Sequence, residues 1–469
     1  MISFILNNQL IQTDKAPGIP LLDFIRYEMG LPGTKIGCRE GDCGACTILE
    51  GQLKGKKVSY KSIVSCLTPL GNAQGKHIVT IEGINKENLS PVQKAMIKHA
   101  GTQCGFCTPG FVMSLTAYCL SGKISDGQNV ISSISGNICR CTGYKSIERA
   151  ANDISELLKH KDINDPIKWL VKENFLPDYF LEIPVQLAKI KKNKSGSKNS
   201  KIIMGGGTDM MVRKSEEIAD SELDFYLDNK ELKKISTDKK FCYMGASTTA
   251  GDIMDSPIIQ KIIPKITTYL KLVSSEPIRN MGTIAGNIVN SSPIGDLSVL
   301  FLALNAKVQL VSSYSNRMIP LNKFFLGYKK LEMKENEHIE KIVFPIPKKS
   351  SFINFEKVSK RTHLDIASVN SAANISVNKN KITNCQLSFG GVSPIPLFVK
   401  NTSNFLAEKV ISNELIIEAN IILQKEITPI NDVRGTIEYK RLLARQLLFA
   451  HFIRMFPDKI TSKVLLNKI

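Results

Sequence analysis

The segment GCREGDCGAC, residues 37–46, decides how the N-terminal part of this chain folds. Together with Cys66 it sets Cys38, Cys43 and Cys46 in the spacing C-x4-C-x2-C…C, which is the plant-type arrangement for a [2Fe–2S] cluster. The glycines and the alanine between the cysteines let the backbone wrap closely and point amide groups at sulfur. The sequence therefore predicts an iron–sulfur centre in this loop.

A second set of four cysteines follows within the first 141 residues. It has the spacing C-x2-C…C-x-C and consists of Cys104, Cys107, Cys139 and Cys141. The runs around these residues have helical spacing, and Ser90 before Pro91 is a typical helix start. We expect short helices to hold a second four-thiolate site, so that two clusters in tandem conduct single electrons.

Zinc binding and disulfide bonding are the alternative uses of these cysteines. Structural zinc sites usually combine two C-x2-C knuckles or Cys/His pairs, and no histidine lies between Cys38 and Cys66. A disulfide framework is typical of small secreted domains, whereas this chain has 469 residues and its first residues do not resemble a signal peptide. The isolated Cys119, Cys242 and Cys385 are predicted to be small buried hydrophobic residues.

The composition favours a multidomain globular protein over a nucleic-acid-binding or membrane protein. Lys and Arg number 62 against 43 Asp and Glu, which gives a net charge of +19. The basic residues are spread along the chain, and the densest run, residues 189–201, has the Ser, Asn and Gly content of a solvated loop. Apolar stretches are far shorter than the roughly 20 residues of a membrane span. We expect a cytoplasmic protein whose charge suits an acidic partner subunit.

From residue 177 onward, strands and helices alternate. A predicted strand at 202–204 runs into G205-G-G-T-D209, and a second glycine-rich loop begins at Gly282. Glycine lets bare amides approach an anion, although a tight turn explains the first loop equally well. Two such loops after two electron-carrying sites indicate a dinucleotide, and a flavin converts between one-electron and hydride chemistry. Asp296 and Asp365 are candidates to accept hydrogen bonds from the flavin ring, with helix capping as the equal alternative.

At these residues the chain resembles the small, iron–sulfur and FAD-binding subunits of the molybdenum hydroxylase family, of the bacterial xanthine dehydrogenase type. The resemblance runs in order along nearly the whole chain. Its cysteine segments are the most specific part. The matching segments are residues 37–47, 103–110, 136–144, 205–209, 279–296, 390–391 and 432–439.

The resemblance implies a multidomain α+β fold with four modules and a linker. These are a β-grasp ferredoxin-like [2Fe–2S] domain (1–86), a four-helix [2Fe–2S] domain (87–160), a linker (161–176), an α/β two-lobed FAD-binding domain of the PCMH type (177–350) and a C-terminal α+β flavoprotein domain like that of CO dehydrogenase (351–469).

The resemblance also implies which residues contact cofactors, and it places no catalytic residue on this chain. The helical cluster is expected to face molybdenum on the partner, with Gln103 and Cys141 nearest the pterin. The eight cysteines of the two sets would bind the clusters. The expected FAD-binding residues are Ile203, Met204, Gly205, Gly206, Gly207, Thr208, Asp209, Met210, Thr283, Ile284, Ala285, Gly286 and Asn287, with Asp296, Asp365 and Lys400 as further candidates.

The function that the resemblance implies is electron transfer in hypoxanthine and xanthine oxidation, a reaction of purine catabolism. Electrons would pass from a molybdopterin-binding large subunit through two [2Fe–2S] clusters to FAD and then to NAD+, in a heterotetramer or larger assembly. An aldehyde, a nicotinate-like heterocycle or an aromatic thioester as substrate stays open, as does a stand-alone iron–sulfur flavoprotein. His363 and Leu364 occupy positions where the family often has an acidic residue, and Asn290 occupies a position where it often has Thr. These differences leave open whether NAD+ or O2 is the electron acceptor.

Overall fold

Residues 1–122, 126–190 and 202–467 of the chain are described by a computed structural model, and they divide into two units. Unit 1 comprises residues 1–227 and 275–282. Unit 2 comprises residues 228–274 and the chain from residue 283 onward. The basic run at 189–201, for which the sequence predicts a solvated loop, lies outside the described residues apart from its first two positions.

A five-stranded mixed sheet forms the centre of unit 1. Its strands lie in the spatial order Gln9–Thr13, Ile2–Leu6, His77–Val79, Thr47–Lys54 and Lys57–Val64. Strands Ile2–Leu6 and His77–Val79 are parallel, whereas the other neighbouring pairs are antiparallel. This order agrees with the β-grasp sheet that the sequence predicts for residues 1–86.

Both faces of the central strands of this sheet are buried. Successive side chains of a strand point to opposite faces, so Ile5 and Leu49 enter one hydrophobic core while their neighbours Phe4 and Ile48 enter another. The first core also contains the helices of the second cysteine set, and the second core contains Met204 from the strand before the first glycine loop. The sheet therefore lies between these two parts of unit 1.

The remaining elements of unit 1 are mostly short helices. The α-helices are Leu21–Asp23, Pro91–Lys98, Thr108–Leu120, Gly127–Ser133, Lys145–Leu157, Pro166–Lys172, Ile183–Lys189, Met210–Arg213, Ser215–Ala219 and Glu276–Arg279. The first of them continues as a π-helix over Phe24–Glu28. Strands Ile202–Met204 and Leu223–Phe225 form a parallel pair. Single 3-10 turns cover Ser65–Leu67, Leu70–Ala73, Ile81–Ile84, Leu158–His160 and Asp178–Leu181.

The predicted helix start at Ser90 is confirmed by a reciprocal cap. Its hydroxyl accepts a hydrogen bond from the Gln93 amide at 3.3 Å, and the Gln93 side chain accepts one from the Ser90 amide at 2.8 Å. Such a box satisfies two amides that the first helical turn leaves unpaired. Residues 161–176, expected to be a polar linker, instead contain a helix whose Leu170 is fully buried with Phe175 and Leu176.

Unit 2 contains two antiparallel sheets and a short ribbon. The first sheet has the order Asn316–Pro320, Lys307–Val311, His338–Pro345, Phe241–Gly245 and Ile235–Thr237. The second has the order Ser351–Val358, Val369–Asn378, Lys381–Gly390 and Leu397–Phe398. The ribbon pairs Phe325–Gly327 with Lys330–Leu331.

One apolar helix of unit 2, Asp296–Ala303, lies between the two sheets. Phe301 packs on Phe344 of the first sheet, with ring centroids 5.6 Å apart, and the Val299 carbonyl accepts a hydrogen bond from Ser388 of the second sheet at 2.6 Å. A helix that is apolar all round is a buried helix. The other α-helices are Ala250–Asp255, Pro257–Ile262, Ile266–Lys271, Ile284–Asn290, Leu321–Phe324, Lys400–Leu406, Asn413–Glu426, Ile437–Met455 and Ser462–Asn467.

Two segments of the expected module 177–350 are assigned to unit 1, namely residues 177–227 and residues 275–282. The strand Ile202–Met204 and the loop after it were expected in the module 177–350, but they belong to unit 1. The physical reason is burial, because Met204, Met211 and Ile218 share a core with the N-terminal sheet. The segment 275–282 joins the same core through Met281.

Membrane insertion finds no support in the helices. Within the ranges that the structure describes, none of them combines the length and the hydrophobicity that crossing a bilayer requires.

A buried ion pair in the N-terminal sheet yields a stability prediction. The Lys76 ammonium lies 2.9 Å from the Glu50 carboxylate, and both side chains are 2% exposed. Removal of one partner of such a pair costs about 3–5 kcal/mol, because the other charge stays buried. We expect Lys76→Met to reduce the free energy of unfolding in urea by an amount near the lower limit, since Lys61 still lies 3.2 Å from Glu50.

The matched control is Lys54→Met, at the exposed end of the strand Thr47–Lys54, which contains Glu50. It should stay within the roughly 0.5 kcal/mol typical of surface substitutions. Equal, small effects of both substitutions would show that the pair does not stabilise the sheet.

Candidate cofactor sites

The first cysteine loop is held in shape by glycines and by one ion pair. Gly41 and Gly44 have φ angles of +78° and +66°, which favour glycine, and Arg39 is also left-handed at +57°. The Arg39 guanidinium donates two hydrogen bonds to the Asp23 carboxylate, at 2.8 and 2.9 Å. This bidentate pair fixes the loop to the preceding helix.

The four thiols of this loop lie in two pairs. Cys46 and Cys66 have their Sγ atoms 3.3 Å apart. Cys38 contacts Cys43, and this contact, with backbone amides, lowers the pKa of Cys38 to about 5 while it raises the pKa of Cys43. The amides of Glu40 and Cys43 point at the Cys38 sulfur, at 3.3 and 3.4 Å. Amide groups directed at sulfur are what the glycine-rich sequence predicts.

The second cysteine set is also arranged in two pairs. Cys104 and Cys141 have their Sγ atoms 3.6 Å apart, and both residues are exposed. Cys107 contacts Cys139; burial, followed by this contact, raises the pKa of Cys107 to about 12. The amide and hydroxyl of Thr142 lie 3.5 and 3.1 Å from the Cys139 sulfur.

Pairs of thiols match the chemistry of a two-iron cluster. In a [2Fe–2S] cluster four cysteines serve two irons, so two thiolates belong to each iron. A structural zinc ion needs four ligands around one point, and the described residues contain no group of three or more Cys, His, Asp or Glu side chains that would surround a single ion. Each set contains two pairs of thiols, which is the number of ligands that a two-iron cluster requires.

The isolated cysteines behave as the sequence predicts. Cys119, Cys242 and Cys385 are buried, and burial raises the pKa of Cys119 and of Cys242 to about 12. A buried thiol with a raised pKa is inert, so these residues pack as small hydrophobes.

The first glycine loop is shaped by contact with the protein backbone. A Cβ at Gly206 would lie 1.9 Å from the Met281 carbonyl oxygen, and Gly207 has a φ angle of +85°. Asn72 donates a hydrogen bond to the Gly205 carbonyl at 3.0 Å. The tight-turn alternative accounts for both glycines, and contact of the loop with FAD stays a prediction.

A cleft of about 190 Å³ lies next to this loop. It is lined by Cys38 and Cys66 of the first cysteine set and by Met211 and Val212 of the helix that follows the loop. The first cysteine set and the residues after the first glycine loop thus meet at one cleft of unit 1.

From Thr283 onward the second glycine loop belongs to unit 2, where it leads into the helix Ile284–Asn290. The Thr283 hydroxyl caps this helix by accepting a hydrogen bond from the Gly286 amide at 3.1 Å, and Asn287 accepts two from Ser298 at 3.2 Å. Among the described residues, the buried hydroxyls of Thr248 and Ser291, on either side of this helix, have no hydrogen-bond partner. Buried polar atoms are normally paired, so this region fits a polar ligand.

The negative charge of the Asp296 carboxylate is balanced by contacts that no sequence motif indicates. Its carboxylate accepts hydrogen bonds from the Lys357 ammonium at 2.8 Å and from Asn370 at 2.5 Å, and the Lys357 side chain is 1% exposed. Gly295 rather than Asp296 occupies the cap position of the helix, so capping is not the role of this residue. Lys357 and Asn370 lie 61 and 74 residues from Asp296 along the chain. The sequence around Asp296 therefore contains no pattern from which these contacts could be predicted.

The other candidates in unit 2 lie apart from this network. Asp365 accepts hydrogen bonds from the amides of Arg361 and Ile366, at 3.0 and 2.9 Å, so it stabilises its own loop. Lys400 is exposed at the first position of the helix Lys400–Leu406. A role for either residue in flavin binding stays a prediction.

Three domain families match the chain, in order along its length. Residues 80–152 match the [2Fe-2S] binding domain, residues 179–347 match the FAD binding domain in molybdopterin dehydrogenase, and residues 355–455 match the CO dehydrogenase flavoprotein C-terminal domain. These matches support [2Fe–2S] and FAD as cofactors.

Curated relatives are similar to the chain over nearly its whole length. Xanthine dehydrogenase from Emericella nidulans is 29% identical over 98% of this chain, and aldehyde oxidase 3 from Rattus norvegicus is 25% identical over 97%. The chain spans 39% and 40% of the lengths of these two relatives.

Solved structures share the fold of about half of this chain. Carbon monoxide dehydrogenase from Hydrogenophaga pseudoflava aligns with a TM-score of 0.51 and 26% identity, over 53% of this chain and 88% of that chain. Quinoline 2-oxidoreductase from Pseudomonas putida 86 shares the fold, with a TM-score of 0.50 and 21% identity over 54% and 88% of the two chains. The three domain matches and these relatives make the chain similar to proteins of the molybdenum hydroxylase family, and its matched segments include a [2Fe–2S] binding domain and an FAD binding domain.

Proposed function

We propose that this chain is the electron-transfer subunit of a xanthine dehydrogenase. It receives electrons from a molybdopterin-binding large subunit and delivers them through two [2Fe–2S] clusters and FAD to NAD+, during oxidation of hypoxanthine and xanthine. The similarity to xanthine dehydrogenase from Emericella nidulans supports the substrate. The similarity to rat aldehyde oxidase 3 favours aldehydes as the second candidate.

The paired arrangement of eight thiols is the observation that carries this proposal. Cys38 with Cys43 and Cys46 with Cys66 would hold the first cluster; Cys104 with Cys141 and Cys107 with Cys139 would hold the second. These clusters supply one-electron transfer. The protein contributes the amides that stabilise the sulfur charge and the burial that excludes water from Cys46, Cys66 and Cys139.

The exposed edge of the second set is the surface that suits the partner. Cys104 and Cys141 are exposed, and Phe106 and Tyr144 beside them are 47% and 38% exposed. Large apolar side chains that surround a redox site are suited to burial against another protein. We infer that the large subunit covers this edge, with Gln103 facing its pterin.

The FAD-binding residues are proposed from the two glycine loops. Residues 203–210 and residues 283–287 would contact FAD, which supplies the exchange between one-electron and hydride chemistry. The buried hydroxyls of Thr248 and Ser291 are available to it. Lys357 holds Asp296 in place, so that this carboxylate is fixed and charge-balanced next to the second glycine loop.

Cofactor content is the first test of this function. The chain, purified without oxygen, should contain four irons, because two complete cysteine sets are present, and one FAD. Iron and zinc analysis, labile sulfide and the flavin released on denaturation measure this directly. Zinc in place of iron, or protein without flavin, would contradict the proposal.

Separate cysteine substitutions test the pairing. Cys43→Ser should abolish the EPR signal of the first cluster and leave that of the second, and Cys139→Ser should do the reverse, because each set is complete by itself. Cys119→Ser is the matched control, since this buried cysteine belongs to neither set. Loss of both signals after either single substitution would argue against independent sites.

Activity with and without the large subunit tests the division of labour. The chain alone should oxidise NADH with an artificial acceptor but should not oxidise xanthine, and addition of the large subunit should start xanthine-dependent NAD+ reduction. Gln103→Ala should slow the complete reaction and leave NADH oxidation unchanged, whereas Gln128→Ala, in the helix Gly127–Ser133, should affect neither.

Two results would redirect the proposal. Turnover of an aldehyde but not of xanthine by the complex would favour the second candidate. Xanthine turnover by the chain without any partner would overturn the electron-transfer role.

A further inference from the structure

The two cysteine loops meet at a single junction in unit 1. The Ile138 amide donates a hydrogen bond to the Cys43 carbonyl at 2.9 Å. Cys43 belongs to the first cysteine set, and Ile138 directly precedes Cys139 of the second. One ligand of each set therefore lies next to the same hydrogen bond.

Glycines make this junction possible. A Cβ at Gly44 would lie 2.3 Å from the Gly136 carbonyl oxygen, and a Cβ at Gly110 would lie 2.3 Å from the Gly44 carbonyl oxygen. No side chain fits at a separation below 3.0 Å. The backbones of the two loops and of the helix Thr108–Leu120 are thus in direct contact.

One side chain links these three elements. The Asn137 amide group donates a hydrogen bond to the Gly44 carbonyl at 3.0 Å, and its oxygen accepts one from the Ser114 hydroxyl at 2.8 Å. Asn137 is 4% exposed, and Ser114 lies in the helix Thr108–Leu120. Each cysteine set already has four thiols, so Asn137 is not needed as a metal ligand. Metal binding therefore does not explain why the Asn137 side chain is buried.

We propose that Asn137 is a positioning residue that fixes the distance between the two clusters and thereby the rate of electron exchange between them. The proposal rests on the proposed function, because it requires both clusters. Electron tunnelling falls steeply with distance, so a loop that moves even slightly at Gly44 changes the transfer rate. A buried amide that ties both loops to one helix prevents such movement.

Magnetic coupling between the reduced clusters tests the proposal without turnover. When both clusters of the full chain are reduced with dithionite, their EPR signals should show mutual splitting or enhanced relaxation, which depends on their separation. Asn137→Ala should keep both signals and narrow the splitting. Asn137→Asp, which has the same shape but no N–H to donate to Gly44, should have the same effect.

The controls separate spacing from folding. Thr116→Val removes a buried hydroxyl of the helix Thr108–Leu120 that donates a hydrogen bond only within this helix, to the Val112 carbonyl. This substitution should leave the splitting of the EPR signals unchanged. Freeze-quench EPR after partial reduction should show slower exchange between the clusters in both Asn137 variants, and unchanged exchange in the control.

Each outcome decides the question. Unchanged splitting and exchange in both Asn137 variants would overturn the proposal, and loss of one cluster in both variants would do so too, because Asn137 would then be needed to hold a cluster. If only Asn137→Ala loses a cluster, the EPR splitting and the exchange rate of Asn137→Asp decide whether Asn137 sets the cluster spacing. A wild-type chain without iron–sulfur signals would refute the proposed function itself rather than this role of Asn137.

Discussion

Burial of the central strands of the N-terminal sheet on both faces is the constraint on which unit 1 depends. A strand that is buried on both faces has no side where a charge meets water, so each polar group requires a partner inside the protein. Lys76 is paired with Glu50 for this reason. His77 is held between the Tyr60 hydroxyl, at 2.7 Å, and the Asn7 carbonyl, at 2.8 Å, and burial lowers its pKa to about 3, so it stays neutral.

The same sheet packs against elements that carry the second cysteine set and the first glycine loop. Its two cores contain the helices of the second cysteine set and the strand before the first glycine loop. The first cysteine loop leads directly into the strand Thr47–Lys54 of the sheet. The central strands of this sheet are mostly buried, whereas the edge strand Gln9–Thr13 is largely exposed.

Charge is handled differently in the two candidate cofactor regions. In the cysteine loops the backbone supplies the positive ends of its dipoles, as amides directed at the sulfurs of Cys38 and Cys139. In unit 2 a full positive charge, that of the Lys357 ammonium, balances Asp296. Amides stabilise sulfur without adding a titratable group, whereas a buried carboxylate requires a cation or a protonated state.

The sequence by itself determined the local chemistry, and the tertiary structure decided the long-range contacts. The cysteine spacings and the Ser90 cap are short-range patterns, so they predicted both cysteine loops and the helix start. The roles of Lys357 and Asn137 escaped prediction, because each acts on a residue at least 60 positions away. The first glycine loop shows the limit most clearly: its sequence suits a phosphate or a turn, and only the fold reveals that the Met281 carbonyl occupies the space that a side chain at Gly206 would need. Packing between segments that are distant in the sequence decides which of the structures compatible with a short motif is formed.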